Sequence, residues 1–174
     1  MLRTRIIPTL LLRNESLVKT MRFGKFTYVG DPCNTVRIFN ELEVDELLFL
    51  DITATLEKRS PNLRVLADIA SECFMPLGYG GGIRTLEDAK SVFDIGFEKI
   101  VINSYAIENP DFIRQLASTY GSQAVIVSID VKKSSQKYEC YYNLGRIKSD
   151  REFKDFMEKE GCVFSLYSIC LLRP

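Results

Sequence analysis

The feature that most limits how this chain can fold is a regular alternation of short apolar runs with amphipathic stretches. The runs fall at residues 5–12, 46–52, 75–80, 98–103 and 123–130, and each is nearly continuous in apolar side chains. A strand that alternates apolar and polar residues keeps one face in water. A strand that is apolar throughout must be covered on both faces, as parallel strands are. Between the runs lie helix start signals. Asp31-Pro32, Ser60-Pro61 and Asn109-Pro110 each place a capping side chain before a proline suited to the first helical position. Thr85-Leu86-Glu87-Asp88 has the form of a capping box. Ile38 with Leu42, and Leu66, Ile69, Ala70 and Cys73, fall at spacings that draw an apolar stripe on each helix. The order is βαβαβαβαβ with short connections, which gives an α/β fold with a parallel sheet. At this level a doubly wound sheet and a barrel are both open.

Beyond the fifth run, 138-YECYYNLGRI-147 reads as a hairpin turning at Asn143-Leu144-Gly145. A helix is expected over about 149–160, starting at Ser149-Asp150, and 161–174 reads as a sixth strand with nothing after it. A parallel strand needs neighbours and helical cover, so an incomplete protein is expected.

Composition removes several function classes. Lys plus Arg and Asp plus Glu number 23 each, so no basic field favours nucleic acid or an anionic membrane. No apolar run approaches the ~20 residues needed to span a bilayer, and no charged-then-apolar leader opens the sequence as written. The cytoplasm is the expected location. The absence of histidine excludes every Ser-His and Cys-His mechanism and leaves Asp, Glu, Lys, Cys or Tyr for any proton transfer. The five cysteines, Cys33, Cys73, Cys140, Cys162 and Cys170, include no C-x-x-C pair. With no histidine beside them no metal site is expected, and they read as small buried thiols in a reducing compartment.

Parallel α/β folds gather function at the C-terminal ends of their strands. Here those corners carry Leu11-Leu12, Asp51, Gly80–Gly82, Asn103-Ser104 and Asp130. The turn Tyr79-Gly80-Gly81-Gly82-Ile83-Arg84-Thr85 offers backbone N–H groups with a helix start behind them, which suits a phosphate. A tight strand-to-helix corner accounts for the same glycines. Asn103 and Ser104 add two small hydrogen-bonding groups. Asp130 closes the run AVIVSID, where partial desolvation would fit it for proton transfer, or where it could cap or pair with Lys132 or Lys133. Asp51 could serve a ligand or only order its own loop. Arg5, Glu46 and Lys99 stand near the starts of three strands, as an ion-pair ring at a barrel's bottom or as a solvated rim.

Together these residues resemble the cyclase subunit of imidazole glycerol phosphate synthase and its paralogues. The matching segments are RIIP at 5–8, Lys19, GDP at 30–32, DELLFLDITA at 45–54, PLGYGGGIRTLEDA at 76–89, INS at 102–104, GSQ at 121–123 and SID at 128–130. The resemblance spans residues 5 to about 160. It implies a TIM (βα)8 barrel, of which this chain would hold about five to six βα units as one incomplete domain over 1–174, with 162–174 atypical. It implies an enzyme without a cofactor that takes ammonia from a glutaminase subunit in a heterodimer and acts on a phosphorylated small molecule. By that likeness Gly81, Gly82, Asn103 and Ser104 hold a phosphate, Asp130 is catalytic, and Lys19 and Asp51 belong to the substrate loops. Arg5, Glu46 and Lys99 form the ammonia gate.

The sequence departs from the family at two positions of consequence. Leu11 stands where a second catalytic aspartate belongs, and Val163-Phe164 where a fourth gate carboxylate belongs. The leucine-rich first strand followed by LVKT resembles a paralogous branch associated with surface polysaccharides, thought to assist amidination of acetamido sugars. The alternatives are a histidine-pathway cyclase subunit, a non-catalytic partner that only channels ammonia, and an inactive truncated fragment. A complete barrel needs about 250 residues. An incomplete one leaves sheet edges and an apolar face uncovered. Self-association through that face is therefore expected in size-exclusion chromatography, and a sharp monomeric peak with a cooperative melt would rule it out.

Overall fold

The structure is a computed structural model that describes residues 5–21, 25–134, 137–143, 145–150 and 169–172. It divides into two compact units, the first containing Phe26–Ile100 with the chain up to Thr20, the second Val101 onward with the short link after Thr20.

The first unit opens with β1 (Thr9–Arg13), β2 (Ser16–Thr20) and β3 (Phe26–Gly30), joined antiparallel. It continues through α1 (Pro32–Glu41), β4 (Leu47–Asp51), α2 (Leu63–Glu72), β5 (Leu77–Gly80) and α3 (Leu86–Asp94). Its strands lie in the order β3-β2-β1-β4-β5. β1, β4 and β5 are parallel, with Leu11 beside Leu50 and Leu50 beside Gly80. Burial follows from the apolar runs. Leu47, Leu48 and Phe49 of β4 and Tyr79 of β5 are fully enclosed, with Val36, Leu66, Ile69, Ala89 and Val92 of the helices. Tyr79 meets Phe97 edge to face at 6.0 Å between ring centroids. A Cβ on Gly78 would lie 2.3 Å from Leu48 Cδ2, so a larger residue there would have to displace that leucine.

Local signals place the helices. Asp31 caps α1 by accepting the Asn34 N–H at 2.9 Å, with Pro32 in the first turn. The capping box of α3 is complete: Asp88 N donates to Thr85 Oγ1 and Thr85 N donates to Asp88 Oδ2, both at 3.0 Å. α2 departs from expectation. Its cap is Asn62, which accepts the Val65 N–H, so Ser60-Pro61 precedes the helix instead of opening it. The stripe on α1 is also corrected. Ile38 and Leu42 are 56% and 64% exposed, and the buried side of that helix is carried by Val36. The i, i+4 spacing of Ile38 and Leu42 is real, but it marks the outer face. On α2 the stripe is as read, with Leu66 and Ile69 enclosed.

β6 (Lys99–Ile102) runs from the first unit into the second. The second unit then contains α4 (Ser104–Glu108), α5 (Pro110–Tyr120), a 3-10 turn (Ser122–Ala124), β7 (Val125–Val127) and β8 (Ile129–Ser134). α5 begins at its proline as expected, although Asn109 makes no side-chain cap bond. The single strand expected over 123–130 is split at Ser128, whose N–H donates to the Ile102 carbonyl at 2.9 Å. β9 (Lys137–Tyr142) and β10 (Ile147–Lys148) form the expected hairpin, with Asn143 and Gly145 at φ 55° and 67°. β8 also pairs antiparallel with β9, and β11 (Ile169–Leu172), inside the stretch read as a sixth strand, pairs parallel with β8. The helix expected over 149–160 lies outside the described residues beyond Asp150.

The corrected faces give a direct test. Ile69→Ala should cost about 2–5 kcal/mol in urea unfolding, the range for deleting an enclosed aliphatic side chain. Ile38→Ala should stay within about 0.5 kcal/mol. Equal losses would place Ile38 in the core.

Candidate functional site

Three groups of the expected residues assemble, two in the first unit and one in the second. The first centres on Glu46, just before β4, which is 4% exposed. Its Oε1 accepts Arg5 Nη1 at 2.6 Å, and its Oε2 meets Lys99 Nζ at the start of β6. Arg5 is held there because Ile6 and Asp45 exchange bonds, Ile6 N to Asp45 Oδ2 at 2.7 Å and Asp45 N to the Ile6 carbonyl at 3.2 Å. A carboxylate this enclosed is retained only when paired, and here each oxygen has its own cation. Val163 and Phe164, where a fourth gate carboxylate belongs, lie outside the described residues.

The second group surrounds Asp51, the last residue of β4. Its Oδ1 accepts Thr53 N at 3.0 Å, Thr53 Oγ1 at 3.1 Å and Ala54 N at 3.1 Å, and Arg59 Nη2 reaches its Oδ2 at 2.8 Å. The carboxylate is thereby occupied within its own loop. That loop lies directly on the glycine turn after β5. A Cβ on Gly81, at φ 124°, would stand 2.5 Å from the Asp51 carbonyl oxygen. One on Gly82, at φ 73°, would stand 2.4 Å from that of Arg59. Close approach and left-handed backbone both require these glycines. The Tyr79 hydroxyl is buried nearby without a hydrogen-bond partner among the described residues. Burial first, and then the Asp51 charge, push its ionisation far above the ordinary phenol value. Arg59 had no motif to mark it; only the structure shows it closing the loop.

In the middle of β1 stands Leu11, half-buried, in one row with Leu50 and Gly80. That row carries no ionisable group. Lys19 lies on β2, exposed and in register with Thr27.

The third group is in the second unit. Asn103, at the end of β6, donates from Nδ2 to the Ser128 carbonyl at 3.0 Å, and its Oδ1 accepts the Ser104 hydroxyl at 3.1 Å. Ser104 Oγ in turn accepts the backbone N–H of Asn143 at 3.0 Å. Asp130 is 7% exposed on β8 between Ile129 and Val131, both enclosed. Burial pushes its carboxyl up to about 6, and a hydrogen bond from Asn103 opposes part of that rise. Asn143 was read only as a turn residue. Its contact with Ser104 comes from a backbone amide, which no side-chain motif encodes.

Cys140 is buried, whereas Cys33 and Cys73 are only half-buried, contrary to the expectation of buried thiols. Cys33 lies early on α1 and Cys73 ends α2, where neither helix is fully covered. Among the described residues no group of three or more His, Cys, Asp or Glu could hold a metal, and no helix is long and apolar enough to cross a membrane.

The family described as "Histidine biosynthesis protein" matches residues 5–162. A protein of Leptospira borgpetersenii called "Putative imidazole glycerol phosphate synthase subunit HisF" is 49% identical over 161 residues, 91% of this chain and 63% of its own length. One of Pseudomonas aeruginosa called "Putative imidazole glycerol phosphate synthase subunit hisF2" is 52% identical over 133 residues, 76% of this chain and 53% of its own length. The imidazole glycerol phosphate synthase subunit HisF of Dictyoglomus turgidum is 42% identical over 165 residues, 92% of this chain and 66% of its own length. The chain thus spans little more than half to two-thirds of these curated relatives. The alternating β and α elements with parallel strands are those of a TIM-barrel-type fold.

Asp130 yields a pH-dependent prediction. Its carboxyl titrates near 6 in the folded chain against an ordinary 3.8, so the folded state binds that proton more tightly than the unfolded state. The stability it contributes is full below about pH 4 and is lost as pH rises through about 6. Asp130→Asn stays neutral throughout. Relative to the unsubstituted chain, it should gain up to about 3 kcal/mol in urea unfolding between about pH 4 and pH 7. A difference that does not change with pH would contradict this.

Proposed function

Because the chain belongs to the histidine biosynthesis protein family, we propose that it is an ammonia-accepting, cyclase-type subunit of a glutamine amidotransferase. Its partner is a glutaminase, and its substrate is a phosphorylated small molecule. The observation that carries this reading is the grip of Arg5 and Lys99 on the buried Glu46. A core of apolar strands has no structural need for an enclosed carboxylate with two cations, and apolar residues of like volume would be as stable. A polar entrance for a small polar reagent gives the cluster a purpose.

In this proposal Gly81, Gly82, Asn103 and Ser104 supply donors to a substrate phosphate, and Lys19 and Asp51 serve the substrate loops. Asp130 takes the proton. Neutral ammonia that forms a bond to carbon must lose a proton, and a carboxyl titrating near 6 is largely the carboxylate at neutral pH. Its basicity exceeds that of an ordinary aspartate, which is the favourable direction for a general base.

The finer reading is the surface-polysaccharide paralogue, in which the reaction amidinates an acetamido sugar. Leu11 supports it. The histidine-pathway reaction uses two aspartates by family resemblance, and a leucine can neither give nor take a proton. A non-catalytic role, in which the chain only passes ammonia to another protein, is favoured by the same residue and differs in its dependence on Asp130.

The test supplies the chain with a glutaminase partner, glutamine and either the histidine-pathway intermediate or an acetamido sugar substrate. Normal cyclase turnover despite Leu11 would refute the paralogue reading. Asp130→Asn should lower product formation by about 10²–10⁴-fold, the usual contribution of a general acid or base. Lys99→Ala should instead waste glutamine, raising the ratio of glutamine hydrolysed to product formed. Unchanged product with Asp130→Asn would favour the channelling role.

A further inference from the structure

The loop that follows β4 is closed on itself by one side chain. Arg59 Nη2 meets the Asp51 carboxylate, with Oδ2 at 2.8 Å, and also donates to Thr53 Oγ1 at 2.9 Å. The Thr53 hydroxyl, holding that donor, gives its own hydrogen to Asp51 Oδ1 at 3.1 Å. Arginine can only donate and an ionised carboxylate can only accept, so the polarity of this ring of three side chains is fixed. The main chain repeats the closure, with Arg59 N donating to the Ala54 carbonyl at 3.0 Å and Glu57 N to that of Thr53 at 2.9 Å. Lys58 makes the return at φ 52°. A lysine in that left-handed region is strained, and it persists where its surroundings hold it.

The two ends of this loop form the wall behind the glycine turn after β5. The Asp51 carbonyl oxygen would stand 2.5 Å from a Cβ on Gly81, and the Arg59 carbonyl oxygen 2.4 Å from one on Gly82. The Ala54 methyl adds a third surface, 3.1 Å from the same Gly82 position. The spacing between residues 51 and 59 therefore sets where Gly81 and Gly82 can lie. The side chain that holds this spacing belongs to the residue whose carbonyl abuts Gly82.

We propose that Arg59 is a positioning residue: by tying its own end of the loop to Asp51 and Thr53, it fixes the wall on which the Gly81-Gly82 turn rests and so the direction of the N–H groups presented to a phosphate. The role in binding rests on the reading of that turn as a phosphate donor, whereas the placement of the turn stands on the packing distances. Arg59 acts by geometry and not by its charge. Asp51 takes it on one side and Glu57 on the other, Nε to Glu57 Oε2 at 2.7 Å, so the loop has no surplus positive charge to draw in an anion. Hydrogen bonds weaken steeply as their angle falls toward ~120°, so a turn displaced from its wall loses phosphate affinity while the fold persists.

The experiment follows the Gly81 and Gly82 amide signals of the full chain by proton–nitrogen NMR, with a titration by inorganic phosphate. Arg59→Gln should move both signals and weaken phosphate binding by about tenfold, the worth of one hydrogen bond to a charged group. Arg59→Lys, which keeps a cation for Asp51 without the planar fork, should recover part of that affinity. Arg64→Gln removes an arginine from an exposed pair with Glu15 and should change neither readout. Losing Arg59 alone leaves Asp51 buried without its cation. Where Arg59→Gln does not fold, the neutral combination of Asp51→Asn with Arg59→Gln takes its place, with the same outcomes expected. Unmoved glycine signals in the folded variant overturn the proposal, and so does an unchanged phosphate affinity. Absence of phosphate binding by the unsubstituted chain refutes the phosphate reading of the turn instead. The signals then decide the role of Arg59 alone, movement supporting it and constancy overturning it.

Discussion

The burial of β4 on both faces is the constraint from which the first unit follows. Leu47, Leu48 and Phe49 are enclosed, so the strand is covered on both of its faces. Polar residues can then stand only where the strand enters and leaves. Glu46 is at the entry and Asp51 at the exit, and both are still buried. Each must therefore be neutralised by its immediate surroundings, which fixes Arg5 and Lys99 at one end and Arg59 with the Thr53-Ala54 amides at the other. The loop that satisfies Asp51 in turn packs on Gly81 and Gly82, so the glycine turn is a consequence of the same burial.

Among the described residues the carboxylates of Glu46, Asp51 and Asp130 are buried, and each is met in a different way. Glu46 is divided between two cations. Asp51 accepts several hydrogen bonds and an arginine, all from its own loop. The Asp130 carboxyl is pushed up to about 6, its burial outweighing a hydrogen bond from Asn103. A group that must exchange a proton has to be left short of partners, since every added donor stabilises the charged form and removes its basicity. The sequence gives all three the same letter class, and only their surroundings distinguish them.

What could be read from sequence follows the same division. Backbone-level signals were legible: apolar runs marked β4, β5 and β6, Asp31 and Thr85 marked α1 and α3, and Asn143-Leu144-Gly145 marked a hairpin. These depend on residues close in sequence. The outward face of Ile38 and Leu42 was not legible, because spacing shows that two residues share a helix face but not which face meets the core. β2 and β3 escaped notice because β3 is largely exposed and its residues, Phe26–Gly30, give no clean alternation. The run 123–130 reads as continuous because Ser128 is small and lies among apolar residues, and no local pattern marks the division at Ser128. Among site residues, Arg5, Glu46 and Lys99 were found as charges near strand starts, whereas Arg59 and the Asn143 amide act through contacts that no local pattern records.

Leu11 shows where the physical argument bears hardest on function. Its row with Leu50 and Gly80 is apolar across three parallel strands, so an aspartate at that position would face a neighbourhood with no donor in its own row. A carboxylate placed there would be costly and strongly basic, which suits a second catalytic group but not an ornament. The leucine removes that cost and packs the row with apolar side chains. A leucine at that position serves packing and takes no part in proton transfer.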